Sequence, residues 1–239
     1  MLGRLVVREI RAAGHEAVGL SRASGVDLMD GSGLVGALDG ASSVIDVSSV
    51  AVTSARRSSD FFTAVTGNLL AAEREAGVAH HVTVSVVGAA AVDAGYYAGK
   101  AAQERMLTAR RRDDWSLLRA TQFHEFTQQL VDRGRVGPVQ AVPSMVSQPI
   151  AAAEVAVELV DIATGGPRGI ADDLAGPREE NMADLVRRYL AAIGVRRPVL
   201  QVPLPGAWGR GLRDGSTLPG SGARLGRQTF DEWLTTCAV

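Results

Sequence analysis

Residues 82–119 have the sequence VTVSVVGAAAVDAGYYAGKAAQERMLTARRRDDWSLLR, and this stretch decides the fold class. Val82–Val87 is a nearly continuous apolar run, which predicts a strand that is covered on both faces. Tyr96–Arg111 has the spacing of a helix, and Trp115–Arg119 predicts a second strand. Strands that are separated by a helix of this length form parallel units with right-handed crossovers. We therefore expect a parallel sheet with helices on its faces.

The same alternation extends to the beginning of the chain. A helix is predicted to begin almost at residue 1 and to end at Gly14, and further helices are predicted at Ser32–Leu38 and Ser59–Ala76. Short apolar runs at Ala17–Leu20 and Val44–Val47 predict strands. The whole pattern predicts an α/β fold with a doubly wound parallel sheet.

The regular alternation ends near residue 126. We predict a sheet domain over residues 1–126 and a C-terminal part over residues 127–239, which returns partly to the sheet and forms a small substrate lobe. The loops of this lobe would cover the carboxyl ends of the strands. It begins with a Pro-rich segment (Val136–Pro149), and its predicted elements are a helix (Ala152–Ala163), a strand (Gly169–Ala175) and a second helix (Asn181–Ile193).

The composition is that of an ordinary globular protein. The chain has 239 residues, is 46% hydrophobic and carries a formal net charge of -1, which argues against a dedicated nucleic-acid-binding protein. Its longest uncharged stretch, Val136–Ala153, is interrupted by prolines and is no spanning helix, and the early charges are not those of a signal peptide. Its single cysteine, Cys237, cannot form an internal disulfide. These features predict a cytoplasmic protein without a nucleic-acid or membrane partner.

Tyr96 and Lys100 are the residues with the clearest chemical potential. Lys100 is the only lysine among 25 basic residues, so it is a candidate for a function that arginine cannot serve. The two residues are one helical turn apart and would share a face of the helix. An ammonium group at this distance favours the phenolate and would lower the pKa of Tyr96 for proton transfer. The alternative is a solvated helix pair without chemistry.

Ser85 is predicted to lie near the end of the strand that precedes this helix. The carboxyl edge of an open α/β sheet is where substrates bind, and the Ser85 hydroxyl could orient a substrate carbonyl there. A serine at a strand end without any such function is the alternative.

The motifs of a zinc site and of a serine hydrolase are both incomplete or absent. His124-Glu125 begins like a zinc-binding helix motif, but Gln128 stands where the second histidine is required. The Gly-x-Ser-x-Gly motif of a serine hydrolase is absent from the sequence. No metal site is predicted.

Several short motifs, taken in order along the chain, resemble those of a known family. They are Gly3 at the start of a helix, Leu20-Ser21-Arg22, Asp27-Leu28-Met29-Asp30, Ala76-Gly77-Val78, Ser85-Val86-Val87-Gly88, Tyr96-Tyr97-Ala98-Gly99-Lys100 and Leu118-Arg119-Ala120-Thr121-Gln122-Phe123. Over residues 1–125 the chain is similar to the atypical short-chain dehydrogenase/reductases of the NmrA-like NAD(P)H-binding group. The resemblance implies a Rossmann-type fold and a nicotinamide cofactor. It also implies that Ser85, Tyr96 and Lys100 are catalytic and that Lys100 binds the nicotinamide ribose.

The resemblance also implies a set of cofactor-binding residues. They are Gly3 as the last glycine of the glycine-rich turn, Asp27 near the adenine, and Val47 and Ser48 beside the dinucleotide. Ser21 and Arg22 follow the predicted strand Ala17–Leu20, at a position where an acidic residue would hold a ribose hydroxyl and an arginine favours a 2′-phosphate. We therefore predict NADP(H) in preference to NAD(H), with an exposed loop arginine as the alternative for Arg22.

The chain departs from this family at its start. Gly3 matches the last glycine of the turn, whereas the N-terminal strand and the earlier glycines are missing. The missing strand would be central, so we expect its neighbours to lack ladder partners and the pyrophosphate to lose backbone contacts. A start codon assigned too late is the simplest expectation, and genuine truncation is the other.

The predicted function is that of an NADPH-dependent oxidoreductase that transfers hydride to a small carbonyl, a quinone or a similar electrophile. One alternative is a non-catalytic NADP(H)-sensing regulatory protein, and another is a truncated chain with impaired cofactor binding. The expected partner is a small-molecule substrate, and a monomer and a homo-oligomer are equally compatible with the sequence.

Overall fold

The computed structural model describes residues 1–237. Its helices are α1 (Leu2–Ala12), α2 (Leu34–Ala37), α3 (Ala55–Ala76), α4 (Ala89–Val92), α5 (Tyr96–Thr108), α6 (Phe126–Arg133), α7 (Ala152–Gly165), α8 (Met182–Ala192), α9 (Gly206–Gly211) and α10 (Phe230–Cys237). Its strands are β1 (Ser43–Asp46), β2 (His80–Val86), β3 (Trp115–Ala120), β4 (Arg135–Val136), β5 (Val139–Pro143), β6 (Val146–Ser147), β7 (Gly169–Ile170), β8 (Leu174–Ala175), β9 (Glu180–Asn181), β10 (Val199–Val202) and β11 (Arg224–Leu225). The side chain of Cys237 lies outside the described part of the chain, as do residues 238 and 239. Within residues 1–237, none of the helices combines the length and the apolar character that crossing a membrane requires.

Six of these strands form one parallel sheet. Its order is β1-β2-β3-β8-β11, and β7 also pairs with β3. Every strand pair in this sheet is parallel, and the register places Ser85 of β2 opposite Arg119 of β3. The prediction of a Rossmann-type, doubly wound α/β sheet is confirmed.

Helices cover both faces of this sheet, which explains the continuous apolar runs of its strands. On one face, Val82 and Leu118 belong to a buried cluster that includes residues of α1 and α7. On the other face, Trp115 and Leu117 pack with Leu107 of α5. Because adjacent strand residues point to opposite faces, Leu117 and Leu118 contribute to two different layers of the core.

The packing of α5 against α3 depends on a glycine. A Cβ atom at Gly99 would overlap Ser58 Oγ and would lie 2.5 Å from Phe62 Cδ2. The Ser58 hydroxyl also donates to the carbonyl of Tyr96 at 2.8 Å, which ties the first residue of α5 to α3. This close approach fixes the position of Tyr96 and Lys100 against α3.

One predicted strand is absent from the structure. Ala17–Leu20 forms no strand, and Val18 is 78% exposed. A strand needs a neighbour for its backbone ladder, and Ala17–Leu20 has none among residues 1–237. Within the described part of the chain, β1 is an edge strand that pairs with β2 alone.

The chain after residue 126 rejoins the main sheet through β7, β8 and β11 and also forms two small sheets, β10-β5-β4 and β6-β9. The Pro-rich segment Val136–Pro149, for which the sequence predicts no strand, contains β5 and β6. Pro138 falls in the turn between β4 and β5, and Pro143 is the last residue of β5, so neither interrupts a ladder. A domain boundary at residue 126 stays a prediction.

Candidate active site at the carboxyl edge of the sheet

Side chains from the segment after β1 and from α5 meet at the carboxyl edge of the main sheet. The hydroxyl oxygens of Ser49 and Tyr96 lie 3.2 Å apart. Tyr96 is half-buried, and its ring meets the Phe62 ring edge-on with the centroids 5.6 Å apart. The Tyr96 hydroxyl therefore lies where substrates bind in open α/β folds.

The pKa of Tyr96 is raised above its ordinary value in this arrangement. Burial is the main cause, the hydrogen bond with Ser49 opposes it, and the Asp46 carboxylate adds to it. The lowering of this pKa by Lys100, which the sequence predicts, is not found, because the ammonium group of Lys100 bonds to other atoms.

Lys100 is deeply buried. It is 4% exposed, so the alternative of a solvated helix pair is wrong for this residue. Its ammonium group donates to the carbonyl oxygen of Val84 and to Oε1 of Gln103, each at 2.9 Å. Burial lowers the pKa of Lys100 to about 8, although the carboxylates of Asp46 and Glu104 favour the charged form.

Ser85 lies near the end of β2, as predicted, and its hydroxyl is engaged by protein. Ser85 Oγ donates to Glu104 Oε1 at 2.6 Å. Glu104 in turn accepts a hydrogen bond from Arg119 at 2.7 Å, and Asp173 lies 3.8 Å from the same guanidinium group. The sequence interpretation missed Glu104, although its position one helical turn after Lys100 is a signal that places it on the same face of α5.

Gly3, Val47 and Ser48 come together beyond the end of β1. A Cβ atom at Gly3 would lie 3.3 Å from Val47 Cγ2, so α1 and this segment are adjacent. The Ser48 amide donates to Asp46 Oδ1 at 2.8 Å, whereas the buried Ser48 hydroxyl has no hydrogen-bond partner among residues 1–237. A buried hydroxyl without a partner costs free energy. This position therefore fits a bound group that offers an oxygen acceptor, as a dinucleotide does.

Ser21, Arg22 and Asp27 lie on a separate surface segment with local hydrogen bonds. The Ser21 amide donates to Ser24 Oγ at 2.8 Å, and Asp27 Oδ1 accepts from the Met29 amide at 2.8 Å. Arg22 is exposed and forms no ion pair among residues 1–237. Its guanidinium group is thus available to a ligand. In the part of the chain that the structure describes, no hydrogen bond links residues 21–29 to Tyr96 or Lys100.

His124 and Glu125, which resemble the start of a zinc motif, belong to the packing of the C-terminal helix. The His124 ring is 1% exposed and has Nε2 3.1 Å from the Gln228 carbonyl oxygen. The ring packs against Phe230 and Trp233 of α10, and burial lowers the pKa of His124. Among residues 1–237, no three His, Cys, Asp or Glu side chains are grouped so that they could hold a metal ion.

Comparisons with known proteins find structural similarity only. No protein-family model and no curated protein sequence matches the chain. The protein MoeE5, in a structure with UDP-glucose and NAD, superimposes with a TM-score of 0.69 at 17% identity, over 99% of this chain and 94% of that chain. An NADPH-dependent quinone oxidoreductase from Escherichia coli gives a TM-score of 0.68 at 16% identity, over 99% and 96%.

A further neighbour is a short-chain dehydrogenase/reductase superfamily protein from Agrobacterium tumefaciens with bound NAD, at a TM-score of 0.67 and 17% identity, over 100% of this chain and 93% of that one. A nucleoside-diphosphate-sugar epimerase from Staphylococcus aureus is also similar, with a TM-score of 0.68. At these identities the similarity establishes a shared fold. The chain has the fold of short-chain dehydrogenase/reductase and epimerase structures, in agreement with the resemblance implied by its motifs.

Proposed function

We propose that this protein is an NADPH-dependent oxidoreductase of the NmrA-like type, which reduces a small carbonyl, a quinone or a similar electrophile in the cytoplasm. The observation that carries the proposal is the pair on α5. A tyrosine hydroxyl lies at the carboxyl edge of the sheet, and the only lysine of the chain is buried one turn behind it. Burying the ammonium group of a lysine is costly, so a lysine kept at this position suggests a function that requires it.

Each side chain has a role in this proposal. Tyr96 donates the proton to the substrate oxygen, and Ser49 holds the phenol at 3.2 Å. Lys100 binds the ribose hydroxyls beside the nicotinamide, and Ser85 orients the substrate. A bound nicotinamide supplies the hydride. The ammonium group of Lys100 must turn from Val84 to reach a ribose, and proximity to Tyr96 in that position would lower the raised pKa of the phenol.

The residues near the end of β1 fit the dinucleotide in this proposal. Gly3 permits close approach of α1, and the unpartnered Ser48 hydroxyl offers a hydrogen bond. Arg22, exposed and unpaired within residues 1–237, would bind a 2′-phosphate. Asp27 would lie near the adenine, as the family resemblance implies.

The preference for NADPH is tested by fluorescence titration of both cofactors. The parent should bind NADPH about 10- to 100-fold more tightly than NADH, because a charge-assisted hydrogen bond contributes about 1.5–3 kcal/mol. Arg22→Ala should remove this preference, and Arg74→Ala, which changes another exposed arginine, should preserve it. Equal affinities of the parent for the two cofactors would contradict the preference.

Catalysis is tested with Tyr96→Phe on a panel of quinones and aldehydes. Removing the proton donor should slow turnover by about 100-fold or more, while NADPH affinity stays close to that of the parent. Parental turnover by Tyr96→Phe would contradict the proposed role of the phenol.

A second candidate function is dinucleotide sensing without turnover. The observation in its favour is that the Lys100 ammonium and the Ser85 hydroxyl are both bonded to protein groups, Val84 and Gln103 for the first and Glu104 for the second. A sensor would bind NADPH and reduce no member of the panel, and Tyr96→Phe would leave its binding unchanged.

A further inference from the structure

We propose that Gln103 is a positioning residue that is oriented by Asp46 and that in turn holds the ammonium group of Lys100. The proposal goes beyond the spacing of Tyr96 and Lys100, since Asp46 lies far from both in the sequence. Its link to catalysis rests on the proposed function, in which Lys100 contacts the cofactor.

Both ends of the Gln103 side-chain amide are hydrogen-bonded to protein groups. The residue is fully buried on α5, and its amide nitrogen donates to Asp46 Oδ2 at 2.8 Å and to Thr66 Oγ1 at 3.2 Å. Its amide oxygen accepts from Lys100 Nζ at 2.9 Å. A carboxylate can only accept hydrogen bonds and an ammonium group can only donate them. Asp46 and Lys100 therefore select one orientation of the Gln103 amide.

The Asp46 carboxylate accepts three hydrogen bonds, which hold it in place. Its Oδ1 accepts from the Ser48 amide at 2.8 Å, and its Oδ2 accepts from Gln103 and, at 3.4 Å, from the Thr83 hydroxyl. It is 4% exposed at the last position of β1. A fixed, buried carboxylate thus connects Lys100 to Ser48, which lies in the segment where the dinucleotide is expected.

The groups that face Lys100 explain why a neutral amide stands between the two charges. The β1 strand contributes the Asp46 carboxylate, α5 contributes Glu104, β2 contributes the Val84 carbonyl, and α3 contributes the Phe62 ring, 4.2 Å from Nζ. Glu104 is already paired with Arg119, so Asp46 is the remaining counter-charge. A carboxylate in direct contact would hold Lys100 protonated, whereas Gln103 orients the ammonium group without adding a charge.

The presence of a single lysine permits a direct test. Lysine labelled with 13C and 15N gives a single ε-CH2 signal, that of Lys100, whose titration by NMR reports the pKa of Lys100 in the protein without cofactor. The parent should titrate near 8. Gln103→Glu should raise the midpoint by about one unit or more, and Gln103→Met should lower it, because each changes the group in contact with Nζ.

Asp46→Asn provides a second variant that changes one atom of the network and should also lower the midpoint. The matched control is Asp93→Asn, which removes an exposed carboxylate at a position with φ 35° that asparagine tolerates, and it should leave the midpoint unchanged. Midpoints within about 0.3 unit of the parent for Gln103→Glu and Asp46→Asn would overturn the proposal.

Adding NADPH separates this proposal from the proposed function. A change in the Lys100 signal on addition of NADPH supports contact between Lys100 and the cofactor. If the variants shift the midpoint and NADPH has no effect on the signal, Gln103 positions Lys100 but the cofactor role of Lys100 fails. If NADPH changes the signal and the variants do not shift the midpoint, the cofactor role stands and the positioning role of Gln103 is overturned.

Discussion

Two arginines of this chain each pair with carboxylates, one at the carboxyl edge of the main sheet and one on the surface of the C-terminal part. Arg119 binds Glu104 at 2.7 Å, and the Glu104 side chain is 6% exposed. Arg188 binds Glu180 at 2.6 Å and Asp231 of α10 at 2.8 Å, and these carboxylates are 22% and 61% exposed. The chemical groups are the same, and the access of water differs.

This difference in exposure shows that a short distance between nitrogen and oxygen does not by itself indicate how much an ion pair contributes to stability. Around Arg188, water can replace a lost partner, and salt screens the charges. If the Glu104 carboxylate is replaced by a neutral group, the Arg119 guanidinium loses its buried counter-charge and the Ser85 hydroxyl loses its charged acceptor, and this loss lowers the free energy of unfolding. We therefore expect stability to depend more on the Arg119–Glu104 pair than on the pairs formed by Arg188.

The largest expected effect is a loss of stability on replacing the buried carboxylate of Glu104, compared with the more exposed carboxylate of Glu180. Glu104→Gln should lower the free energy of unfolding by about 3–5 kcal/mol, and Glu180→Gln should lower it by less than about 1 kcal/mol. Urea denaturation monitored by circular dichroism measures both. Similar losses for the two variants would contradict the contrast between the regions.

The next effect extends the comparison to the buried cation Lys100. The pKa of Lys100 is about 8 in the folded protein, against an ordinary value of 10.5 for lysine. Between these two pH values the unfolded chain binds more protons than the folded protein, so stability rises as the pH rises through this window. The rise should be on the order of 2–3 kcal/mol between about pH 8 and about pH 10. Lys100→Met should abolish the rise, and Arg188→Met should preserve it. Urea titrations at several pH values test this, and a flat profile for the parent would contradict it.

A smaller effect tests how tightly the helix that carries Glu104 is packed. Gly99→Ala should cost about 1–3 kcal/mol, because its Cβ has no space against Ser58 and Phe62. Gly67→Ala in α3 is the control, since its Cβ would meet only Met106 Cε at 3.8 Å. This second change should be neutral or should stabilise the protein by up to about 1 kcal/mol. Thermal melts of both variants measure the difference. A melting temperature of Gly99→Ala equal to that of the parent would contradict the packing argument.

The smallest effect concerns salt. At 1 M NaCl the screening length is about 3 Å, so the loss caused by Arg188→Met, expected to be under about 1 kcal/mol, should nearly vanish. The loss caused by Glu104→Gln should persist under the same conditions, because its surroundings exclude most ions. Urea denaturation in low and high salt distinguishes the two, and an equal response to salt would remove the contrast.

Much of the fold could be predicted because its signals are local. The apolar run at Val82–Val87 and the helix that begins at Tyr96 follow from periodicity, and both are present with small shifts of their ends. The prediction at Ala17–Leu20 is wrong because a strand is stabilised by its neighbour, and periodicity says nothing of whether a neighbour is there. The strand predicted at Gly169–Ala175 is present as two short strands, β7 and β8. Strand β11 was missed for the same reason as above, since the pairing of residues 174–175 with 224–225 is a long-range contact.

In the candidate site, too, some features follow from local sequence and others depend on tertiary contacts. The sequence by itself determined that Tyr96 and Lys100 share a helix face, because the turn of an α-helix sets that relation within a few residues. Only the tertiary structure decided that Lys100 is buried, that Gln103 joins it to Asp46, and that the Ser85 hydroxyl is engaged by Glu104. These contacts depend on how α5 packs against α3 and the sheet, and side-chain packing between distant segments leaves no periodic signal in the chain.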